Sequence, residues 1–197
     1  MSNEEKLNAV LNYSATMIGV PYRWCREGEI IGVNDKFYAS NTKEVFTREQ
    51  IDKDDKCIVC TGLVNLMRIY MGLTIPGVVS GPWWWQKWPG TTGTWFEYLN
   101  EDGRLENIDS TKKYPKGTML LKNFESVDGE QGHVAVVHDD DMNVIHAFAT
   151  LDFEESKTKE TKNHGETNIQ PFQQIQDWSP EGYFTHVCLP ENWLFTD

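Results

Sequence analysis

The chain has 197 residues, 39% of them hydrophobic and eight of them tryptophan, which is enough for a single domain with a substantial core. Its formal net charge of −12 argues against nucleic acid or an anionic membrane as the main partner, because both select for basic surfaces. No apolar run approaches the roughly 18–20 residues of a membrane span, and the opening MSNEEKLNAVLNY is too polar and acidic for a secretory signal, so the expected location is cytoplasmic as synthesised.

The first element is a helix over about Asn3–Ile18, with Leu7, Val10, Leu11, Ser14, Met17 and Ile18 on one face. Gly19 and Val20-Pro21 end it. PYRWCREGE follows, and then a polar stretch to Lys56 with little periodicity, read as an insertion over about 26–56. Cys60–Met71 is a helix that is apolar nearly all round, interrupted only by Asn65 and Arg68, which marks a buried central helix ended by Gly72. A loop dense in Trp, Gly and Pro, GPWWWQKWPGTTG, belongs to a second insertion over about 78–98.

Beyond it the apolar period changes to two. Residues 118–123, 133–139, 143–149 and 185–190 read as strands, the middle pair joined by the turn DDDM into a hairpin. Residues 152–182 are polar and lack a clear core face, so they read as a third insertion carrying some helix. There are no internal repeats. Helices first and an antiparallel sheet second give an α+β class within a single domain, 1–197.

Four cysteines, Cys25, Cys57, Cys60 and Cys188, do not form a disulfide framework in a chain of this kind. Cys57 and Cys60 make a CxxC pair. A structural zinc site needs a second ligand pair, and no two histidines are spaced to supply one. A thioredoxin-like motif needs a βαβ setting that is missing here. Cys60 has a better physical case as a nucleophile. It stands at a helix N-terminus, where the macrodipole and unsatisfied N–H groups favour a thiolate below the free value of about 8.5, and those N–H groups can also hold an oxyanion. Taken alone, Cys60 would read as a small buried hydrophobe.

A nucleophilic thiol needs a base, and the base needs an orienting partner. His133 opens one strand of the predicted hairpin as GHVAVV, and His146 lies on the other as VIHA. A hairpin of this length can place both on one sheet face. His133 is then the base, and His146 fixes its tautomer and orientation.

Four blocks, in order, resemble the NlpC-type papain-like cysteine peptidases, best known as bacterial cell-wall endopeptidases. GVPYRW resembles the family's Gly-x-Pro-Tyr-x-Trp segment, and CTGLV its Cys-Ser-Gly-Leu-Val nucleophile motif. YPKGTMLL resembles the Pro-Gly-Asp-Leu strand entry, and GHVAVVHDDDMNVIHA the Gly-His-Val strand, short turn and Ile-His-Ala strand. The resemblance implies a papain-like fold with Cys60 as nucleophile, His133 as base, His146 as third residue and Tyr22 as a hydroxyl beside the nucleophile. It implies neither a metal nor an organic cofactor. The chain departs from the family at Val59, where many members have Asp, and at Thr61, where they have Ser. Cys25-Arg26-Glu27-Gly28 also replaces the usual Gly-Gly.

Candidate substrate contacts are Arg23 and Trp24 beside Tyr22, Thr61 after the nucleophile, and Trp83, Trp84 and Trp85 of the aromatic loop. Arg23 steers an anionic group or forms a surface ion pair. The tryptophans form a stacking wall or pack as a lid. The expected activity is a cysteine hydrolase cleaving an amide or peptide bond, with a peptide, muropeptide or acyl substrate. Two alternatives keep the fold: a lipid or acyl hydrolase or acyltransferase acting inside the cell, and a catalytically silent binding module. Phage, viral or effector delivery is compatible with the sequence, and the oligomeric state is left open.

Overall fold

A serine and a glutamate start the first helix, α1 (Asn3–Ala15). The Ser2 hydroxyl accepts the Glu5 N–H at 3.2 Å, and the Glu5 carboxylate accepts the Ser2 N–H at 2.6 Å. The helix stops at Ala15, short of the expected Ile18, because the bonds of Met17 and Ile18 tighten to Ser14 and Ala15 before Gly19 turns the chain at φ +79°. The computed structural model describes residues 1–23, 29–30, 45–77, 90–123, 132–150 and 163–196.

Strand β1 (Pro21–Tyr22) follows, then β2 (Glu29–Ile30), α2 (Arg48–Lys53) and β3 (Cys57–Ile58), with β2 and β3 paired in parallel. The stretch expected as a bare insertion over 26–56 thus carries a strand and a helix. Its signal is a second capping box, in which Thr47 and Gln50 exchange side-chain and backbone bonds at 3.2 and 2.8 Å.

Helix α3 (Cys60–Tyr70) is buried at every position from Cys60 to Ile69, as its apolar circumference predicts. Complete burial of Leu63, Val64, Leu66 and Met67 contributes about 2 kcal/mol each. Its two strongly polar residues, Asn65 and Arg68, are satisfied inside the core. Asn65 donates to the Gly90 carbonyl at 3.1 Å and accepts the Trp95 indole N–H at 2.8 Å. The Arg68 guanidinium donates to the carbonyls of Thr74, Trp193 and Thr196 and to the Tyr98 hydroxyl, and it lies over the rings of Trp95 and Tyr98.

The remaining elements are α4 (Thr92–Glu101), β4 (Glu106–Asn107), β5 (Met119–Lys122), β6 (His133–Val137), β7 (Asn143–Ala149), β8 (Gly165–Pro171), α5 (Phe172–Gln176), β9 (His186–Cys188) and α6 (Pro190–Trp193). One seven-stranded antiparallel sheet runs β1-β8-β7-β6-β5-β9-β4. The fold is α+β. The predicted hairpin is β6–β7, and its turn is fastened by Asp139, whose carboxylate accepts the N–H groups of Asp141 and Asn143, each at 3.0 Å. The polar stretch 152–182 differs from its expectation, since β8 and α5 lie in it and β8 pairs with both β1 and β7.

Strand alternation divides the buried side chains between two faces. Val134, Val136, Ile145, Ala147, Met119 and Leu121 pack into one cluster with α1 and α3. Leu120, Ala135, Val137 and Val144 face the other way, and Phe172, Ile175 and Phe184 cover them. No described helix is long and apolar enough to cross a membrane.

Candidate active site

Cys60 is the first helical residue of α3. Val59 occupies the N-cap position in extended geometry, and its own side chain makes no capping hydrogen bond. The amides of the first turn carry the positive end of the helix dipole. Cys60 is 8% exposed and Thr61, the next residue, is buried. Cys57, Cys60 and Cys188 are thiols, none of them in a disulfide. Burial pushes the Cys188 thiol up to about 12, which makes it unreactive. Cys57 lies fully buried in β3.

The two histidines meet as the hairpin predicts. His133 is the first residue of β6 and His146 lies mid-strand on β7, with their rings bonded Nε2···Nδ1 at 2.9 Å. The second nitrogen of His146, Nε2, bonds Gln170 Oε1 at 3.0 Å. Gln170 stands on β8 opposite Val144, two pairs along from the Asn168 that faces His146, and so on the same face of the sheet. Both imidazoles are buried and uncharged. Desolvation holds His133 well below its ordinary 6.5, helped by His146 and Lys122, and holds His146 at about 4 against the raising effect of Gln170.

Aromatic rings enclose the pair. His146 stacks on Phe148 at 4.5 Å, and Trp178 lies over both. Phe184 and Tyr183 flank His133, and the Lys122 ammonium lies 4.8 Å over the Tyr183 ring. Trp178, 44% exposed, is the outermost of these rings.

Placement relative to Cys60 has two parts. The start of α3 lies at the His133 end of the sheet: β1 joins β8 at Tyr22↔Gly165, Gly165 pairs with Ala149, and β3, which leads into α3, packs against β1. The faces differ, however. His133 and His146 alternate with Val134 and Ala147, which pack beneath α3, so the imidazoles lie on the side of Ala135, Val144 and Phe184. The structure brings the histidines together and brings Cys60 to their end of the sheet, with the thiol in the α3-side core and the rings on the opposite face.

Tyr22 is buried in the same core cluster as Cys60 and Val59, and its carbonyl accepts the His164 N–H at 2.8 Å. Arg23 makes an ion pair, the second of its two expected roles, but a buried one and not one at the surface. Buried, it bonds the Asp55 carboxylate at 2.7 Å, the Asp55 carbonyl at 2.9 Å and Asn163 Oδ1 at 2.9 Å. It holds the turn before β3, with Asp55 at φ +50°, through these three bonds. Trp24, Trp83, Trp84 and Trp85 lie outside the described residues.

Sequence reasoning missed Gln170 and the ring cluster of Phe148, Trp178, Tyr183 and Phe184. The available signal was weak: Ile169 is the lone aliphatic residue of ETNIQP, within a stretch too polar to show a core face. Among the described residues no group of three His, Cys, Asp or Glu side chains could hold a metal ion. No protein-family model matches the chain, and no curated protein matches it significantly.

Proposed function

We propose that this chain is a cysteine hydrolase of the NlpC-like, papain-like type that cleaves an amide or peptide bond. Cys60 is the nucleophile, His133 the base and His146 its orienting partner. The observation that carries the reading is the 2.9 Å bond between His133 Nε2 and His146 Nδ1, which leaves His133 Nδ1 as the nitrogen for a thiol. A nucleophile at the first position of α3 is the second support, since N–H groups at a helix start are suited to a developing oxyanion.

In this reading the Cys60 thiol proton passes to His133 Nδ1 round the end of the sheet that both occupy, His133 being the first residue of β6. The sulfur attacks the substrate carbonyl carbon. The tetrahedral oxyanion is held by the N–H groups of the α3 start. His133 returns the proton to the leaving amine, and a thioester remains on Cys60. Water, deprotonated by the same nitrogen, attacks the thioester carbonyl, and the carboxylic acid leaves as the thiolate recovers its proton.

The second reading is a binding module with a structural histidine pair. The placement of both imidazoles on the sheet face away from α3 favours it. A muropeptide digest, a general peptide library and a thioester or lipid ester, each incubated with wild type and Cys60→Ala, separate the readings. Release of new amine termini by wild type alone supports the peptidase, and ester turnover alone moves the substrate class to acyl groups. No difference between wild type and Cys60→Ala on any of the three supports the binding module.

A further inference from the structure

We infer that Gln170 is a positioning residue, whose side-chain carbonyl sets the tautomer of both histidines and so makes His133 Nδ1 the basic nitrogen. The inference rests on the hydrolase reading for its catalytic meaning, and on geometry alone for the tautomers. A glutamine oxygen can only accept, so His146 Nε2, 3.0 Å away, must carry the hydrogen. In a neutral ring the other nitrogen is then a lone-pair acceptor, and that nitrogen, Nδ1, faces His133 Nε2 at 2.9 Å. His133 Nε2 therefore donates, and Nδ1 is left with the lone pair.

One carbonyl on β8 thus fixes the proton pattern through two rings, out to the first residue of β6. The groups around the chain do not compete for the same role. Phe148, Trp178 and Phe184 present rings, and Asn168, opposite His146 in register, turns its own Oδ1 to the Ile169 N–H at 2.7 Å. Lys122, across from His133, is a donor and cannot replace the glutamine oxygen. When His133 takes a thiol proton at Nδ1, the imidazolium charge is met by the His146 lone pair, which the Gln170 bond keeps available.

The test uses the full chain labelled with 15N and reads imidazole tautomers by long-range proton–nitrogen correlation, alongside the alkylation rate of Cys60. Wild type should show the Nε2–H tautomer at both His133 and His146. Gln170→Leu removes the acceptor, so both rings should move toward Nδ1–H, and Cys60 alkylation at about pH 7 should fall at least about tenfold. Gln170→Glu restores an acceptor, so it should keep the wild-type tautomers, keep alkylation within about threefold and raise the His146 titration.

Wild-type tautomers persisting in a folded Gln170→Leu overturn the inference, as does Nδ1–H at His133 in wild type. Should the leucine variant lose the fold, Gln170→Glu decides alone, and an unmoved His146 titration overturns the inference. Tautomers that follow Gln170 while Cys60 alkylates slowly in every variant support the positioning role and overturn the hydrolase reading instead.

Discussion

His133 and His146 share one hydrogen bond of 2.9 Å across neighbouring strands, and neither ring has appreciable contact with water. Removing either partner leaves a buried nitrogen without its bond, which costs about 1–3 kcal/mol. His146→Leu should therefore lower the urea midpoint by that amount and also slow Cys60 alkylation. His146→Asn keeps a carbonyl acceptor near His133 Nε2 and should recover at least half of both losses. Equal behaviour of the two variants would show that ring packing, not the bond, is what matters at this position.

The same burial makes stability depend on pH. A histidine held below its unfolded value contributes fully above about pH 6.5 and loses that contribution as pH falls toward the folded value, about 4 for His146. The loss attributable to His146 across this window is about 3 kcal/mol. His133 adds in the same direction, because burial lowers it as well. Urea unfolding measured every half unit between about pH 7 and 4 should show a steep decline in wild type and a shallower one in His146→Asn. Parallel profiles would contradict the neutral, buried assignment.

Gly165 sits where three strands meet, paired with Tyr22 on one side and Ala149 on the other. A methyl group there would approach the Phe148 carbonyl oxygen to 2.0 Å, a backbone atom that cannot swing aside. Gly165→Ala should destabilise the chain by about 1–3 kcal/mol. It should also disturb the Tyr22 edge, read as faster amide exchange at the Tyr22 end of β1. An unchanged midpoint would mean that β8 approaches β7 less closely than described.

Arg68 tests the polar centre of α3. Its guanidinium reaches carbonyls of Thr74, Trp193 and Thr196 at once, a fan of donors that a lysine cannot reproduce. Arg68→Lys should cost about 2–4 kcal/mol by leaving buried carbonyls unserved. Trp95 and Trp193, stacked edge to face at 5.9 Å, should report it as a shift in fluorescence. A change below about 0.5 kcal/mol would show that water takes over these bonds.

How much of this was legible in the sequence depends on how local each cue is. Helix α3 was legible because an apolar circumference has one meaning for a segment of its length, and the β6–β7 hairpin because DDDM is a turn between two strand-like runs. The histidine pair followed from that hairpin. Strand β8 did not, because its partners β1 and β7 are supplied by distant or preceding chain and its outward residues, Glu166 and Asn168, look like loop. Gln170 becomes meaningful only through its register against Val144. The face occupied by the imidazoles was hidden for a different reason. HVAVV is apolar on both sides, since both faces of β6 are covered, so alternation alone does not say which side meets α3.

The proposed hydrolase depends above all on Cys60 being an activated thiol served by His133. Its most direct test is the pH profile of Cys60 alkylation by iodoacetamide, resolved by peptide mass spectrometry, in wild type, His133→Ala and urea-unfolded chain. The wild-type midpoint should lie well below the ordinary thiol value of about 8.5 and move back toward the unfolded profile in His133→Ala. A wild-type midpoint at or above that of the unfolded chain, or one indifferent to His133, would contradict it.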